Sequence, residues 1–369
     1  MWISVDKHAG TPMLRQVYEA LRARILSGEL PSGTKLPSTR PLASQLNVSR
    51  NVVLEAYELL LAEGFIAGRS GSGTYVAEGA LLPGYVQAAP ERAPADVPEA
   101  RAEPETEVIS FRTGLPALDL FPRKQWAASL HRAATQAPDR ALGYGDSAGE
   151  PELRRALARY LSRTRGIVAG PERIVVTNGA VQALHLVSRL LLSSGDETLV
   201  EEPSNDNLKS ILSATGAVLR PIPVDDLGMR TNLLPRGIRP KCAYVTPSHQ
   251  FPLGGILPIQ RRIELIAYAA ATGCIIVEDD YDSEFRYEGA PIHSLQSLDP
   301  ERVVYVGTFS KILFPSLRIG YIVLPPGLVD AFVRLKQLSD YQTSSLEQLA
   351  LTGFIERGQL QSHVFRMRK

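Results

Sequence analysis

A polar turn between two apolar runs is the feature of this sequence that most constrains its fold. The runs cover residues 303–306 and 319–324 and are rich in β-branched side chains, which is typical of strands buried on both faces. The turn carries Lys311, with Ser310 before it and Arg318 seven residues later. Because ligands of open α/β sheets bind at strand ends, a ligand site is expected at this turn.

The residue types in the turn suit an anionic ligand that carries a carbonyl group. The amine of Lys311 can form a Schiff base with the carbonyl, while hydroxyls and the guanidinium of Arg318 can hold a phosphate. The alternative is a solvated lysine in an exposed loop, and spacing alone does not decide between the two.

A second strand end, upstream of the turn, favours the ligand site. The run 274–287 starts with four apolar residues and continues into acids and an aromatic, among them Asp279 and Tyr281. A pyridoxal ring needs a carboxylate that keeps its ring nitrogen protonated and a phenol beside its 3-oxygen. A strand end supplies both groups here, whereas an exposed acidic loop, the alternative, would hardly follow so apolar a strand.

Length and composition set limits on the class of protein. At 369 residues the chain is long enough for two or three domains, and a net charge of +1 gives no global field towards nucleic acid or membrane. Cys242 and Cys274 lie in apolar runs and are expected to be reduced core residues. The chain shows no signal peptide, membrane span or metal-binding cluster, which predicts a cytoplasmic protein without a membrane partner.

The N-terminal residues predict a winged helix-turn-helix over residues 1–77. Apolar spacing indicates helices over 12–27, from the N-cap Ser38, and from Arg50 to about residue 62, followed by a hairpin over 65–76. The third helix is expected to bury five residues: Val52, Val53, Ala56, Leu59 and Leu60. This order of elements is that of a DNA-binding module.

The polar residues of this module are placed for DNA. The third helix opens with Ser49, Arg50 and Asn51, whose side chains can reach phosphates and base edges in the major groove. Arg40 begins the preceding helix and Arg69 lies on the wing. A three-helix protein-interaction module is the alternative, and the positions of the three arginines favour DNA over it.

The rest of the chain predicts a linker and an α/β domain. Residues 78–107 hold seven acids and two bases among many Pro and Ala residues, which is typical of a flexible linker. From 108 to 369 strands alternate with helices, which predicts a doubly wound, mainly parallel sheet. A glycine turn precedes a helix whose first amides, those of Ala180 and Val181, could bind a phosphate.

Two resemblances extend this interpretation. The run 36–76, LPSTRPLASQLNVSRNVVLEAYELLLAEGFIAGRSGSGTYV, resembles the DNA-binding domain of GntR-type bacterial regulators. This likeness implies a homodimer that reads a repeated or palindromic double-stranded operator, with Arg40, Arg50 and Arg69 as DNA-contacting residues.

Six ordered segments resemble fold-type I aminotransferases: LFPRKQW, YGDSAGEPELRRALARYLSRTRG, VTNGAVQAL, VTPSHQFPLGGILP, IIVEDDYDSEFRY and GTFSKILFPSLRIGY. Joined to a GntR-like head, they are similar to the MocR-type regulators, whose sensor binds pyridoxal phosphate. The resemblance implies that Lys311 binds the cofactor covalently, that Asp279 pairs with the pyridine nitrogen, and that Tyr281 faces the 3-oxygen. It further implies a phosphate site formed by Ser310, Arg318, Ala180 and Val181. It also implies that His249 and Gln250 line the cofactor pocket.

Two departures from the family pattern bear on the cofactor. Asn205 stands where the family usually has a tyrosine that stacks on the ring, and the loss of stacking should weaken cofactor binding without abolishing a covalent link. The sequence stops at Lys369, at the apparent entrance to a C-terminal subdomain, so that subdomain and its substrate-binding arginine are expected to be truncated.

The favoured function is a transcription regulator that senses pyridoxal phosphate or an amino-compound effector, without net enzymatic turnover. Two alternatives stay open: an aminotransferase with catalytic turnover, and a cofactor-free remnant that serves only in dimerisation.

Overall fold

The computed structural model describes residues 3–69, 73–85, 114–287 and 292–369. The chain divides into two compact units, Met1–Ile109 and Ser110–Lys369. Most of the predicted linker lies outside the described residues, so the predicted domain boundaries stay a prediction. The described residues at the start of the predicted linker belong to the first unit, because the amide of Leu82 donates to the carbonyl of Leu26 at 3.1 Å.

The described residues of the first unit form three helices and a hairpin, as the sequence predicts. They are α1 (Met13–Leu26), α2 (Thr39–Leu46), α3 (Arg50–Ala62), β1 (Ile66–Arg69) and β2 (Gly73–Val76). The two strands pair antiparallel, from Ile66 opposite Val76 to Arg69 opposite Gly73. The amide of Leu36 donates to the carbonyl of Thr74 at 2.9 Å, so the segment before α2 joins the hairpin and completes a winged helix-turn-helix.

The inward face of α3 differs from the prediction at three residues: Val52 is only partly buried, Tyr57 is buried although it was not predicted, and Leu59 is exposed. Val53, Ala56, Tyr57 and Leu60 are buried, whereas Leu59, predicted to be in the core, is 42% exposed. Successive side chains of a helix are about 100° apart, so Leu59 lies to the side of the stripe on which Leu60 is centred. The prediction for Leu59 was therefore wrong.

The second unit is an eight-stranded sheet with helices on both faces. Its helices are α4 (Arg123–Gln136), α5 (Pro151–Arg165), α6 (Ala180–Leu191), α7 (Asp206–Ser213), α8 (Ile259–Thr272), α9 (Val329–Asp340), α10 (Ser345–Glu356) and α11 (Gln359–Met367). Its strands are β3 (Ile174–Thr177), β4 (Glu197–Glu202), β5 (Val218–Asp225), β6 (Gly228–Met229), β7 (Cys242–Val245), β8 (Ile275–Asp280), β9 (Val303–Thr308) and β10 (Gly320–Val323). The predicted apolar runs 303–306 and 319–324 form most of β9 and all of β10, and both strands are buried along their whole length.

The direction of the strands brings one set of strand ends together. The sheet order is β3-β10-β9-β8-β7-β4-β5-β6, and β5, β4, β7, β8 and β9 are joined by parallel pairing. Strand β10 is antiparallel to both β9 and β3, so β3 points the same way as β9. The carboxyl ends of β3, β4, β8 and β9 therefore share one edge, which is where such sheets bind ligands.

Among the described residues, no helix is both long and apolar enough to cross a membrane.

Candidate functional site

A cleft of about 980 Å³ lies at this edge of the second unit. Eight of the ten residues predicted to hold a cofactor line it: Ala180, Val181, Asn205, Asp279, Tyr281, Ser310, Lys311 and Arg318. They come from the starts of two helices, the end of β8 and the connection between β9 and β10. The predicted strand ends therefore converge on one cavity.

The amine of Lys311 contacts Gly114, the first described residue of the second unit, which also lines the cleft. Its Nζ donates to the carbonyl oxygen of Gly114 at 2.8 Å. Gly114 has a φ of +76°, and a Cβ there would lie 2.6 Å from that nitrogen. A side chain at this position would therefore displace the lysine, and sequence reasoning missed the glycine because it is 197 residues away.

Asp279 brings an unpaired acid into the same cleft. Its Oδ1 is inaccessible to solvent and has no hydrogen-bond partner among the described residues. Burial raises the pKa of Asp279 to about 7, with further contributions from Asp280 and Glu201, while Lys311 opposes the rise. The carboxylate is thus ready to accept a proton or a hydrogen bond from a ligand.

The turn before α6 forms a close-packed cradle. Gly179 has a φ of +81°, and a Cβ on it would lie 2.8 Å from Nη2 of Arg318. Arg318 has a left-handed φ of +52° and donates from Nη2 to the carbonyl of Asn178 at 3.1 Å. A Cβ on Gly320 would lie 2.7 Å from the carbonyl carbon of Gly179. Helix amides and a guanidinium at such a turn suit a phosphate.

Hydroxyl and aromatic groups complete the wall of the cleft. The hydroxyl of Thr308 donates to Ser310 Oγ at 3.1 Å, next to Lys311. The rings of Tyr281 and Phe251 meet edge to face with centroids 6.2 Å apart. Burial raises the pKa of Tyr281, which keeps its phenol protonated and able to donate.

Asn205 turns out to have a local structural bond as well as a place on the cleft. Its Oδ1 accepts from the amide of Asn207 at 2.9 Å and so caps α7. The neighbouring Ser204 also lines the cleft. Its Oγ is buried and has no partner among the described residues, a feature that sequence reasoning missed.

Glu201 is a second buried acid that sequence reasoning missed. It lines the cleft from the end of β4, and its Oε2 accepts from Thr246 Oγ1 at 2.6 Å and from Gln250 Nε2 at 3.4 Å. Burial raises the pKa of Glu201 to about 7, although the hydrogen bonds from Thr246 and Gln250 counteract it.

The two remaining predicted residues are not among those that line the cleft. Gln250 is buried and turns away, because its Nε2 donates to the carbonyls of Pro203 at 2.8 Å and Phe251 at 2.6 Å. His249 Nδ1 lies 2.8 Å from Asp282 Oδ1, and this pairing raises the pKa of His249. Their predicted contact with a cofactor stays a prediction. In this structure they form hydrogen bonds to Asp282 and Glu201, which line the cleft.

Most of the predicted DNA-contacting residues of the first unit lie together at the starts of α2 and α3. Four of the five, Arg40, Ser49, Arg50 and Asn51, are exposed there. The side chain of Ser49 accepts from the amide of Val52 at 3.4 Å, and Arg50 Nε donates to Thr39 Oγ1 at 3.3 Å.

Arg69 ends β1, and its side chain lies outside the described structure. Exposed Lys35 lies over the ring of Tyr75 at 5.8 Å from its centroid, which adds a cation that sequence reasoning missed.

Comparisons with known proteins follow the same division. Residues 14–76 match the family of bacterial regulatory proteins of the gntR type, and residues 106–369 match the class I and II aminotransferases. The probable rhizopine catabolism regulatory protein MocR of Rhizobium meliloti is 41% identical over 377 residues, which cover 99% of this chain and 76% of that protein. The chain belongs to the MocR-type regulators of the GntR family.

This MocR-type regulator has further relatives of both kinds. The pyridoxine biosynthesis transcriptional regulator PdxR of Corynebacterium glutamicum is 31% identical over 367 residues, covering 100% of this chain and 78% of PdxR. The α-aminoadipate aminotransferase of Thermus thermophilus superposes with a TM-score of 0.66 at 30% identity, covering 71% of this chain and 67% of that enzyme. The predicted family and fold class are therefore confirmed.

Proposed function

We propose that this transcription regulator binds pyridoxal phosphate in the cleft of its second unit and operator DNA through its first unit. We propose further that it acts as a cytoplasmic homodimer, and that the cofactor, or an amine that reacts with it, changes the affinity for DNA. The chain is a regulator because it belongs to this family. We propose the cofactor, the effector and the homodimer in addition.

The observation that carries the proposal is the buried, unpartnered Oδ1 of Asp279 in the cleft that also contains Lys311. A buried polar atom without a partner costs about 1–3 kcal/mol, and a protonated ring nitrogen would supply the missing donor. The Gly179 turn has a left-handed φ of +81° and lies against the Arg318 guanidinium, an arrangement that suits the close approach of a phosphate. The residues present therefore fit pyridoxal phosphate.

Each residue has a distinct task in this site. Asp279 would hold the ring nitrogen and Tyr281 would donate to the 3-oxygen. Arg318 and the amides of Ala180 and Val181 would bind the phosphate, with Ser310 beside them. When bound, the cofactor supplies an aldehyde that condenses with an amine, with release of water, and an electron-withdrawing ring. Lys311 supplies the protein's own amine, and its neutral form is the reactive one.

The relatives support this assignment by what they are said to bind or regulate. PdxR is described as a regulator of pyridoxine biosynthesis. The Thermus thermophilus enzyme was solved with N-(5'-phosphopyridoxyl)-L-leucine, a phosphopyridoxyl group joined to an amino acid. Carried over to this chain, these names favour a phosphopyridoxyl ligand and an amine effector.

Sensing requires a difference in ligand affinity between two states of the regulator. A ligand alters DNA affinity only if it binds one of these states more tightly, and the coupling is reciprocal. In the proposed dimer the two heads would contact the two halves of an operator, so a change in the sensors would alter how both heads fit the DNA.

The absorbance spectrum of the purified protein with added pyridoxal phosphate tests the cofactor assignment. The wild type should give a Schiff-base band that Lys311→Ala abolishes and that Lys241→Ala, which changes an exposed lysine of the same unit, leaves unchanged. A spectrum equal to that of the free aldehyde would refute cofactor binding and favour the cofactor-free remnant. Turnover with amino acid and keto acid pairs would instead favour an aminotransferase.

Operator binding tests the regulatory half of the proposal. Arg50→Ala should weaken binding by about 1–3 kcal/mol, whereas Arg15→Ala, which removes an exposed cation from α1, serves as the matched control. The affinity is then measured with and without pyridoxal phosphate and candidate amines, and identical values would refute sensing while leaving DNA binding intact.

A further inference from the structure

A polar cluster lies behind the turn that precedes α6, outside the cleft itself. At its centre is Asp340, the last residue of α9. Its Oδ2 accepts from Asn178 Nδ2 at 2.7 Å and from Gln182 Nε2 at 2.8 Å. Both of its oxygens also accept from Lys336 Nζ, at 2.9 and 3.0 Å. One carboxylate thus connects α9 to the turn and to the first turn of α6.

The cation of this cluster is fully buried. The side chain of Lys336 has 0% of its surface exposed, and burial lowers its pKa although Asp340 opposes the change. A buried ammonium is very costly unless it is paired and hydrogen-bonded. Lys336 therefore fixes where the carboxylate of Asp340 can lie, and it balances the negative charge of that carboxylate.

The turn transmits this constraint to the groups that face the cleft. Gln182 uses both ends of its amide, because its Oε1 accepts from the amide of Asn178 at 2.8 Å while its Nε2 donates to Asp340. The carbonyl of Asn178 in turn accepts from Arg318 Nη2 at 3.1 Å. Asp340 is therefore two hydrogen-bonded links from Arg318, and it is not among the residues that line the cleft.

We propose that Asp340 is a positioning residue for phosphate binding, held by Lys336 and acting through Asn178 and Gln182. Its own charge would repel a phosphate, so its contribution is to orient donors rather than to contact the ligand. The inference rests on the proposed function, since it concerns the phosphate of pyridoxal phosphate. It adds a second layer to the cradle that neither the motifs nor the cleft lining reveal.

The test compares pyridoxal phosphate with pyridoxal, which has the same aldehyde and ring but no phosphate. The affinity of each is measured by titrating the Lys311-dependent absorbance band. In Asp340→Asn one acceptor oxygen becomes an amide that faces the donors of Asn178, Gln182 or Lys336. The preference for pyridoxal phosphate over pyridoxal should fall about tenfold, as expected for the loss of one hydrogen bond to a charged group.

Asp330→Asn is the matched control, because it makes the same change at an exposed position in the first turn of α9 and should leave the preference unchanged. Gln182→Met removes the hydrogen bond between Gln182 and Asp340 from the donor side. This variant provides the test if Asp340→Asn does not fold. Thermal unfolding of each variant identifies the folded ones.

The outcomes separate this inference from the proposed function. An unchanged preference in the folded variants, or an equal loss of affinity for both aldehydes, would overturn the positioning role even if the wild type binds the cofactor. A wild type without a lysine-dependent band would overturn the cofactor assignment and the positioning role together.

Discussion

The two units of this regulator treat charge in opposite ways. In the described part of the first unit, the buried side chains are apolar or, at Tyr57, aromatic with a hydroxyl. The second unit buries acids and bases alike, among them Glu201, Glu278, Asp280, Arg165 and Lys336. The first unit keeps its charges in water, where they suit a polyanion, and the second holds them in fixed positions, where they suit one small ligand.

The contrast extends to how each unit is stabilised. An apolar core stabilises by removing surface from water and tolerates changes elsewhere. A buried ionic group is tolerated only while all its partners are in place. The second unit should therefore respond more strongly to pH and to the loss of a single charge than the first, and three measurements test this expectation.

The largest effect is expected from Arg165→Ala. Arg165 pairs with Asp280 at 2.7 Å, with side chains 4% and 1% exposed, and it also donates to Ser248 Oγ at 2.6 Å. Its removal leaves a buried carboxylate without its cation and should cost about 3–5 kcal/mol of the free energy of unfolding. Chemical denaturation, followed by a probe of the second unit, measures the loss.

Arg159→Ala is the control for that measurement, since Arg159 and Glu356 form an ion pair with both side chains more than half exposed. Its cost should stay below about 1 kcal/mol. If the two variants lose the same stability, the contrast between buried and exposed charge does not hold.

A smaller effect concerns pH and Glu201. The pKa of Glu201 in the folded protein is about 7, above its ordinary 4.5, so the folded state binds this proton more tightly than the unfolded state. The resulting stability is present at low pH and is lost as pH rises through 7. Between pH 6 and 8 the wild type should lose about 1 kcal/mol through this group, and Glu201→Gln should remove that share of the slope.

The adjacent Glu202 provides the comparison, because it is exposed and pairs with Lys209 at 2.6 Å. Glu202→Gln should leave the slope between pH 6 and 8 as it is in the wild type. Equal slopes in the wild type and Glu201→Gln would mean that Glu201 is already ionised at neutral pH.

The smallest effect is expected in the first unit, from Ser49→Ala. The side chain of Ser49 caps α3 by accepting from the amide of Val52 at 3.4 Å, and its loss should cost about 0.5–1 kcal/mol. Ser38 occupies the same position on α2 but makes no side-chain capping bond, so Ser38→Ala should cost less. The thermal midpoint of unfolding of the first unit measures the loss of stability in each variant. A larger loss for Ser38→Ala than for Ser49→Ala would contradict the assignment of the cap.

The sequence was a good guide to features that are local in the chain. The third helix was expected from Arg50 to residue 62 and spans Arg50–Ala62, and the apolar run 303–306 forms most of β9. Asp279, Lys311 and Arg318 meet in one cleft because the ends of parallel strands share an edge. The apolar periodicity of the sequence is enough to predict such strands, and so this edge.

Other features depend on contacts between distant segments, which periodicity does not encode. The bond from Lys311 to Gly114 spans 197 residues, and that from Asn178 to Asp340 spans 162. Gln250 was predicted to line the cofactor pocket because of the family resemblance, yet its amide nitrogen donates to Glu201 and Pro203. Which way a polar side chain turns is decided by the partners that the fold brings to it.

The antiparallel strand β10 has a consequence for how this site could change or be transferred. Gly320 of β10 pairs directly with Thr308 of β9, so a single hairpin carries both the amine of Lys311 and the guanidinium of Arg318. An insertion or deletion within this hairpin would change the distance between these two groups. The segment that carries Asp279 and Tyr281 lies outside the hairpin and could change independently. A transfer of the proposed aldehyde-binding site to another sheet would therefore need the whole hairpin, with its surroundings redesigned afterwards.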